Sequence, residues 1–367
     1  MLPRIVVIII VLVLAGMLFL LLSFNIIKKL VLSYREKRSK VMQMRARMQI
    51  ESFLFDDDED FTRALEVFVR ETKKRNKKMA YFVNDYLITS LESPGNRDTQ
   101  RLIAISNAFD FYPDVLEEIK SRNPVVSARG ARRAGFYNFK DATNDMLNAL
   151  EILSSENQFE ILMGLARMGR AEPMQQAFEK IKNSIIVNER AIIEILSTFP
   201  EGPEKLKLFI DMFQNETPFL VVLFLKSVDA VKSIILIDRI FQLLKHEDKY
   251  IRAAAVRALS TLKEQAPEEE LIVAMQDTEW EVRALASKAL AIIDTPKTSL
   301  ALLGAMNDRQ WVVRQNATNA LSNHLGAETL FTLVAELGSK YSIDSMISLL
   351  ELKNQDELLE LIKKLAV

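Results

Sequence analysis

The sequence predicts an all-α protein, with a single N-terminal transmembrane helix followed by an α-solenoid of stacked helical hairpins. Three observations carry this. Twenty consecutive residues near the amino terminus hold no charge. A pattern of apolar, small and basic residues returns every 31 positions in the carboxy-terminal half. Prolines cut the stretch from Phe61 onward into segments of helical length. Composition agrees: of 367 residues 49 % are apolar and 26 % charged, as in an ordered chain, while ten Gly and ten Pro are too few for a loop-rich one.

The uncharged run is Ile5–Phe24, with Ser23 its one hydroxyl. Twenty helical residues cover about 30 Å, the thickness of a bilayer's hydrocarbon core. A cleaved signal peptide would have a shorter apolar core and a small-residue cleavage site, whereas this run continues through Asn25, Ile26 and Ile27 into a basic stretch. Only Arg4 and the terminal amine precede the span. Lys28, Lys29, Arg35, Lys37, Arg38, Lys40, Arg45 and Arg47 follow it, against the lone acid Glu36. Basic flanks stay on the cytoplasmic side. The expectation is therefore a single-pass protein of the cell membrane, with its amino terminus outside and its carboxy-terminal domain in the cytoplasm.

After the span, Lys28, Lys29, Arg35, Lys37, Arg38 and Lys40 are candidates for contact with anionic lipid, each charge near the surface contributing about 1 kcal/mol. A second reading is open: Ile27, Leu30, Tyr34, Lys37, Val41, Met44 and Met48 follow a heptad spacing, which would suit a parallel homodimer through residues 27–48. In a third, the segment is a stalk that extends the anchor. The acidic run Asp56–Asp60 contains no Gly for a metal-binding turn and reads as a helix cap and solvated spacer.

The repeat aligns on Arg252, Arg283 and Arg314. One residue before each stands Ile251, Val282 or Val313. Three after stands Ala255, Ala286 or Ala317, and six and seven after stand Ala258–Leu259, Ala289–Leu290 and Ala320–Leu321. These offsets share one arc of a helix, with small residues where a neighbour must come close. A first helix precedes each of the later two, opening at Pro267 and Pro296. A hairpin this small cannot enclose a core alone, so copies must stack.

These residues resemble HEAT repeats, in which an Asp in the turn precedes a Val-Arg pair. Asp277 with Val282–Arg283 and Asp308 with Val313–Arg314 match, while the first copy has His246 at the Asp position. The resemblance implies a right-handed superhelix of helical hairpins and a structural ladder among Asp277, Arg283, Asp308, Arg314 and Arg252. It also suggests bacterial membrane-anchored HEAT-repeat proteins, which implies work as an accessory to envelope or polysaccharide-synthesis machinery. The predicted organisation is an anchor (1–27), a basic juxtamembrane helix and acidic spacer (28–60), irregular HEAT-like repeats (61–234), regular repeats (235–325) and C-terminal capping helices (326–367), with the stretch from Phe61 to Val367 cut into helices of ten to sixteen residues. Phe219–Leu225 is too short for a span and reads as a buried helix.

Chemistry has little to stand on. There is no cysteine, and the two histidines are His246 and His324, the latter expected half-buried near a helix end. His246–Glu247 is one His-Glu pair where the similar di-iron hydroxylases acting on deoxyhypusine need several; the likeness to phycobilin lyases rests on the repeat consensus alone. No phosphate loop or nucleophile motif is present, so no enzyme, metal or cofactor is expected. Protein binding is the favoured expectation, through Arg257, Lys288 and Asn319 on a concave second-helix face and through Trp280 and Trp311 at its edge, although recurrent aromatics also serve inter-repeat packing. A nucleic-acid alternative rests on basic clusters at 70–78 and 129–140, the latter mixing Arg129, Arg132 and Arg133 with Phe136, Tyr137 and Phe139. The formal charge of −1 argues against it.

Overall fold

The computed structural model describes residues 4–55, 58–75, 77–92, 98–151, 155–182, 189–231, 235–261, 268–337 and 339–353. The chain divides into two compact units, 1–117 with 136–139, and 118–135 with 140–367.

In the first unit the apolar run and the basic run form one uninterrupted helix, α1 (Arg4–Phe55). No proline follows Pro3 within it, and Leu, Ile, Val and Met dominate its sequence. Its described side chains from Leu12 to Leu22 are exposed on every side, and by length and composition α1 can cross a membrane. A helix apolar all round needs apolar surroundings. Beyond the basic stretch its character changes: Ala46, Ile50 and Phe53 are buried among α2 (Asp58–Arg75), α3 (Lys77–Glu92) and α4 (Thr99–Phe109). Asp56 and Asp57, the first two of the five acidic residues, lie outside the described residues, and Asp58 opens α2.

Polar groups fix this junction. Arg101 Nη1 donates to the Phe53 carbonyl at 3.0 Å, satisfying a C-terminal acceptor of α1, and Tyr86 donates to Glu51 at 2.8 Å. Asp98 caps α4 by accepting from the Gln100 and Arg101 amides. Aromatic rings run from Phe53 through Phe68 and Phe109 to Phe111, Tyr137 and Phe139. The Tyr137 hydroxyl donates to Asn84 Oδ1 at 2.6 Å.

The helices α5 (Tyr112–Ile119) and α6 (Pro124–Tyr137) each contribute residues to both units. In the second unit follow α7 (Thr143–Ala149), α8 (Ser155–Met168), α9 (Ala171–Ile181), α10 (Glu189–Thr198), α11 (Pro203–Phe213), α12 (Pro218–Lys226), α13 (Ile235–Leu243), α14 (Lys249–Thr261), α15 (Glu268–Ala274), α16 (Trp280–Ala289), α17 (Pro296–Ala305), α18 (Trp311–Leu325), α19 (Ala327–Leu337) and α20 (Lys340–Leu352). Consecutive helices pair at α7–α8, α11–α12, α13–α14, α15–α16, α17–α18 and α19–α20, while α9 packs against α7, α8 and α11. The second helices α8, α10, α12, α14, α16, α18 and α20 form one continuous layer, each against the next. The described helices of this unit run from 7 to 15 residues, wider than the expected range. Of the expected capping helices (326–367), α19 and α20 are described, and 354–367 lie outside the described residues.

The repeat positions do what their sizes demand. Ile251, Val282 and Val313, the three alanines three residues after each Arg, and the Ala-Leu pairs beyond them are all buried. Alanine lets neighbouring backbones approach without losing the apolar contact. The approach is closer still where α6 meets α8: a Cβ on Gly135 would stand 2.6 Å from Gly164 Cα, and one on Gly164 would stand 2.5 Å from the Ala131 carbonyl oxygen. No side chain fits there. The helix α12 buries Leu220, Val221, Leu223, Phe224 and Leu225 and leaves Phe219 outward.

Candidate functional site

The regular hairpins are joined by a ladder of arginine forks. Arg252 donates from Nε and Nη2 to Asp277 at 2.7 and 2.9 Å, and from Nη1 to the His246 and Glu247 carbonyls at 2.9 and 2.8 Å. Arg283 repeats this with Asp308 at 2.7 and 3.0 Å and with the Asp277 and Thr278 carbonyls at 2.8 and 3.0 Å. Each Asp also closes the turn before the next helix, accepting at 2.8 Å from the Glu279 or the Gln310 amide. His246, at the Asp position of the first copy, closes the corresponding turn: Nδ1 accepts from the Asp248 amide at 3.0 Å.

Burial pushes the Asp277 and Asp308 carboxyls upward, but the Arg252 and Arg283 forks and the turn amides outweigh it, leaving both below the usual range. Arg252 and Arg283 are correspondingly raised by those hydrogen bonds.

At Arg314 the ladder ends. Nη1 still donates to the Asp308 and Arg309 carbonyls at 2.8 and 3.1 Å, but the residue 25 positions on, where the other rungs have Asp, is Ser339. Ser339 caps α20 and donates to Asn307. The Arg314 guanidinium lies 4.8 Å from the Tyr341 ring centroid, and its Nε is buried without a hydrogen-bond partner. His324 is buried more deeply than expected for a helix end: its ring is 3 % exposed, with Nε2 3.0 Å from the Ala291 carbonyl.

On the outer side of the second-helix layer Arg257 and Lys288 are exposed and Asn319 half-buried. The tryptophans face outward, Trp280 at 38 % and Trp311 at 57 % exposure, and two further aromatics continue their line, Tyr250 at 66 % and Tyr341 at 48 %. All four stand in the first turn of α14, α16, α18 or α20. The tyrosines escape a search by strict 31-residue register because each is one residue out of phase. Beside the line, Lys249 bridges Glu279 and Glu281 at 3.2 and 3.1 Å.

The two basic clusters differ. At 129–140, Arg129 and Arg133 meet Glu118 at 2.9 and 3.0 Å, while Phe136, Tyr137 and Phe139 are buried. Bases need exposed aromatic faces to stack on, so this cluster offers no platform for nucleic acid. At 70–78, Arg70, Lys73, Lys74 and Lys78 are exposed. Lys78 stands beside Arg35 and Arg38.

On α1, Lys28, Lys29, Arg35, Lys37, Arg38 and Lys40 are exposed, with Lys40 bonded to Glu36 at 2.8 Å. The heptad positions Ile27, Leu30, Tyr34, Lys37, Val41, Met44 and Met48 are also exposed, opposite the buried face of Ala46, Ile50 and Phe53. In a parallel pair along that seam, Lys40 of one copy would face Arg45 of the other, like against like.

Residues 237–322 match the family model for HEAT repeats. This HEAT segment holds both Asp-Arg rungs and both tryptophans. No curated protein matches the chain. Among solved structures, human deoxyhypusine hydroxylase in complex with glycerol is 14 % identical over 78 % of this chain and 98 % of its own, with a TM-score of 0.30. An engineered protein is 15 % identical over 77 % and 89 %, at 0.33. The CpcE–CpcF complex of phycocyanin lyase from Nostoc sp. is 16 % identical over 68 % and 93 %, at 0.28. Superpositions this loose carry no argument about what the chain does.

Proposed function

We propose that this protein is a membrane-tethered scaffold, anchored through α1, whose HEAT segment docks a protein partner in the cytoplasm and performs no catalysis of its own. The observation that carries the reading is the line of exposed aromatics at the starts of α14, α16, α18 and α20. Aromatics used for inter-repeat packing would be covered, whereas these present apolar surface on the same helices as the exposed cations Arg257 and Lys288, as binding hot spots do. The apolar, outward-facing run of α1 supplies the tether. Confinement to a bilayer raises the effective concentration of the array for other membrane components. Envelope or polysaccharide-synthesis machinery is the setting we favour for that partner.

The test is photo-crosslinking in intact membranes from a residue replacing Lys288. One discrete adduct is expected, lost in Trp280→Ala with Trp311→Ala while the thermal melt stays unchanged. Absence of any adduct, or one indifferent to both tryptophans, would sink the docking surface.

A further inference from the structure

Where α1 leaves its apolar stretch, it and the start of α3 enclose a groove of about 740 Å³. Leu30, Val31 and Phe82 supply apolar walls; Arg35, Arg38 and Lys78 surround them. Among the described residues no acidic side chain lines the groove. We infer that it binds one anionic phospholipid, with the cations on its phosphate and the apolar walls against its glycerol and upper acyl chain.

Position and charge both point to this occupant. Leu30 lies six residues past Phe24, about 9 Å along the axis, and three past Ile27, which puts the groove at the headgroup level of a bilayer crossed by α1. Three cations around an apolar cleft would repel one another unless an anion joined them, and the abundant anion at that depth is a lipid phosphate. The amino terminus of α3 opens beside the groove, adding the positive end of its dipole. Lys78 decides between a site and a diffuse field, because it comes from a different helix than the basic run of α1. A helix that merely lies among anionic headgroups needs no cation from α3.

The inference rests on the membrane reading above, and the experiment separates the two. Full-length protein in detergent is titrated with phosphatidylglycerol and, separately, with phosphatidylcholine of the same chains, and bound lipid is counted by native mass spectrometry. One phosphatidylglycerol should bind at least tenfold more tightly than phosphatidylcholine. Lys78→Gln should weaken it about fivefold, whereas Lys29→Gln, the same charge change on the face of α1 opposite Arg38, should alter it less than twofold. Equal losses from the two variants would show a diffuse polybasic effect and overturn the site, as would no preference between the lipids. Alkaline extraction of native membranes tests the tether itself. A chain retained in the pellet but without lipid preference defeats the groove alone; a chain released to the supernatant defeats both.

Discussion

Replacing Asp308 with Asn removes a rung and leaves nearly everything else in place. The Asn carbonyl oxygen can still accept from the Gln310 amide, so the turn survives, but the amide nitrogen is turned on a guanidinium that held two carboxylate oxygens at 2.7 and 3.0 Å. The Arg283 and Asp308 side chains are 16 % and 13 % exposed, so little water reaches the orphaned charge. Breaking a buried pair by removing one partner costs 3–5 kcal/mol, and the partial exposure here places the loss near the bottom of that range, about 3 kcal/mol. In a stacked array this cost falls on the interface between neighbouring hairpins. Native-state hydrogen exchange should then show protection in α16 and α18 falling about 100-fold, at 1.4 kcal/mol per decade, with α8 to α10 unchanged. A drop below threefold in α16 and α18, or an equal drop throughout the second unit, would refute the view of the rung as a local tie.

Three further outcomes follow from the same geometry. Ser339→Asp places a carboxylate 25 residues after Arg314, the spacing of both existing rungs, and should stabilise the array by about 1–2 kcal/mol, since bonds to charged groups outweigh the displaced Tyr341 contact; a lower melting temperature by circular dichroism would contradict it. Because Asp277 and Asp308 titrate below an unfolded carboxyl near 3.9, their contribution is fully present above that value and lost as pH falls through the lower folded one. Thermal stability should thus be insensitive to this pair between about pH 5 and 8 and drop below about pH 4, less steeply in Asp308→Asn; an identical slope in that variant would count against the assignment. Gly164→Ala forces a methyl to 2.5 Å from the Ala131 oxygen and should cost about 1–3 kcal/mol, read as an earlier urea midpoint; an unchanged midpoint would mean α6 and α8 can separate freely.

The regular hairpins are legible in the sequence because their buried offsets admit few alternatives: Ala where backbones close up, Leu where they do not. The earlier hairpins solve the same packing problem with unlike residues, filling their layers with Met174, Phe178, Phe209 and Phe224 and thinning one crossing to Gly135 against Gly164. No fixed identity recurs there, so the period fades although the stacking continues. The cluster at Arg129 and Arg133 is illegible for another reason. Its counter-charge, Glu118, sits on the preceding helix, and a linear scan counts the cations without the acid that pairs with both. The aromatic line was half visible, since Tyr250 and Tyr341 keep the place of the tryptophans on the fold but not in the register.

The ladder and the aromatic line occupy the same few residues, and this joins stability to the proposed docking. Arg283 Nη1 holds the Asp277 and Thr278 carbonyls, the last backbone acceptors before Glu279 and Trp280, while Asp277 itself closes the turn before Trp280. Asp308 and Arg314 do the same for Trp311. Each outward ring is therefore set by a turn clamped on its inner side, and a rigid aromatic loses less freedom on binding than a mobile one. A structural ladder beneath a recognition surface explains why Arg314 keeps its two carbonyl bonds although its carboxylate partner is gone: the turn before Trp311 still has to be held, and Tyr341, stacked on the free side of that guanidinium, carries the line one hairpin further.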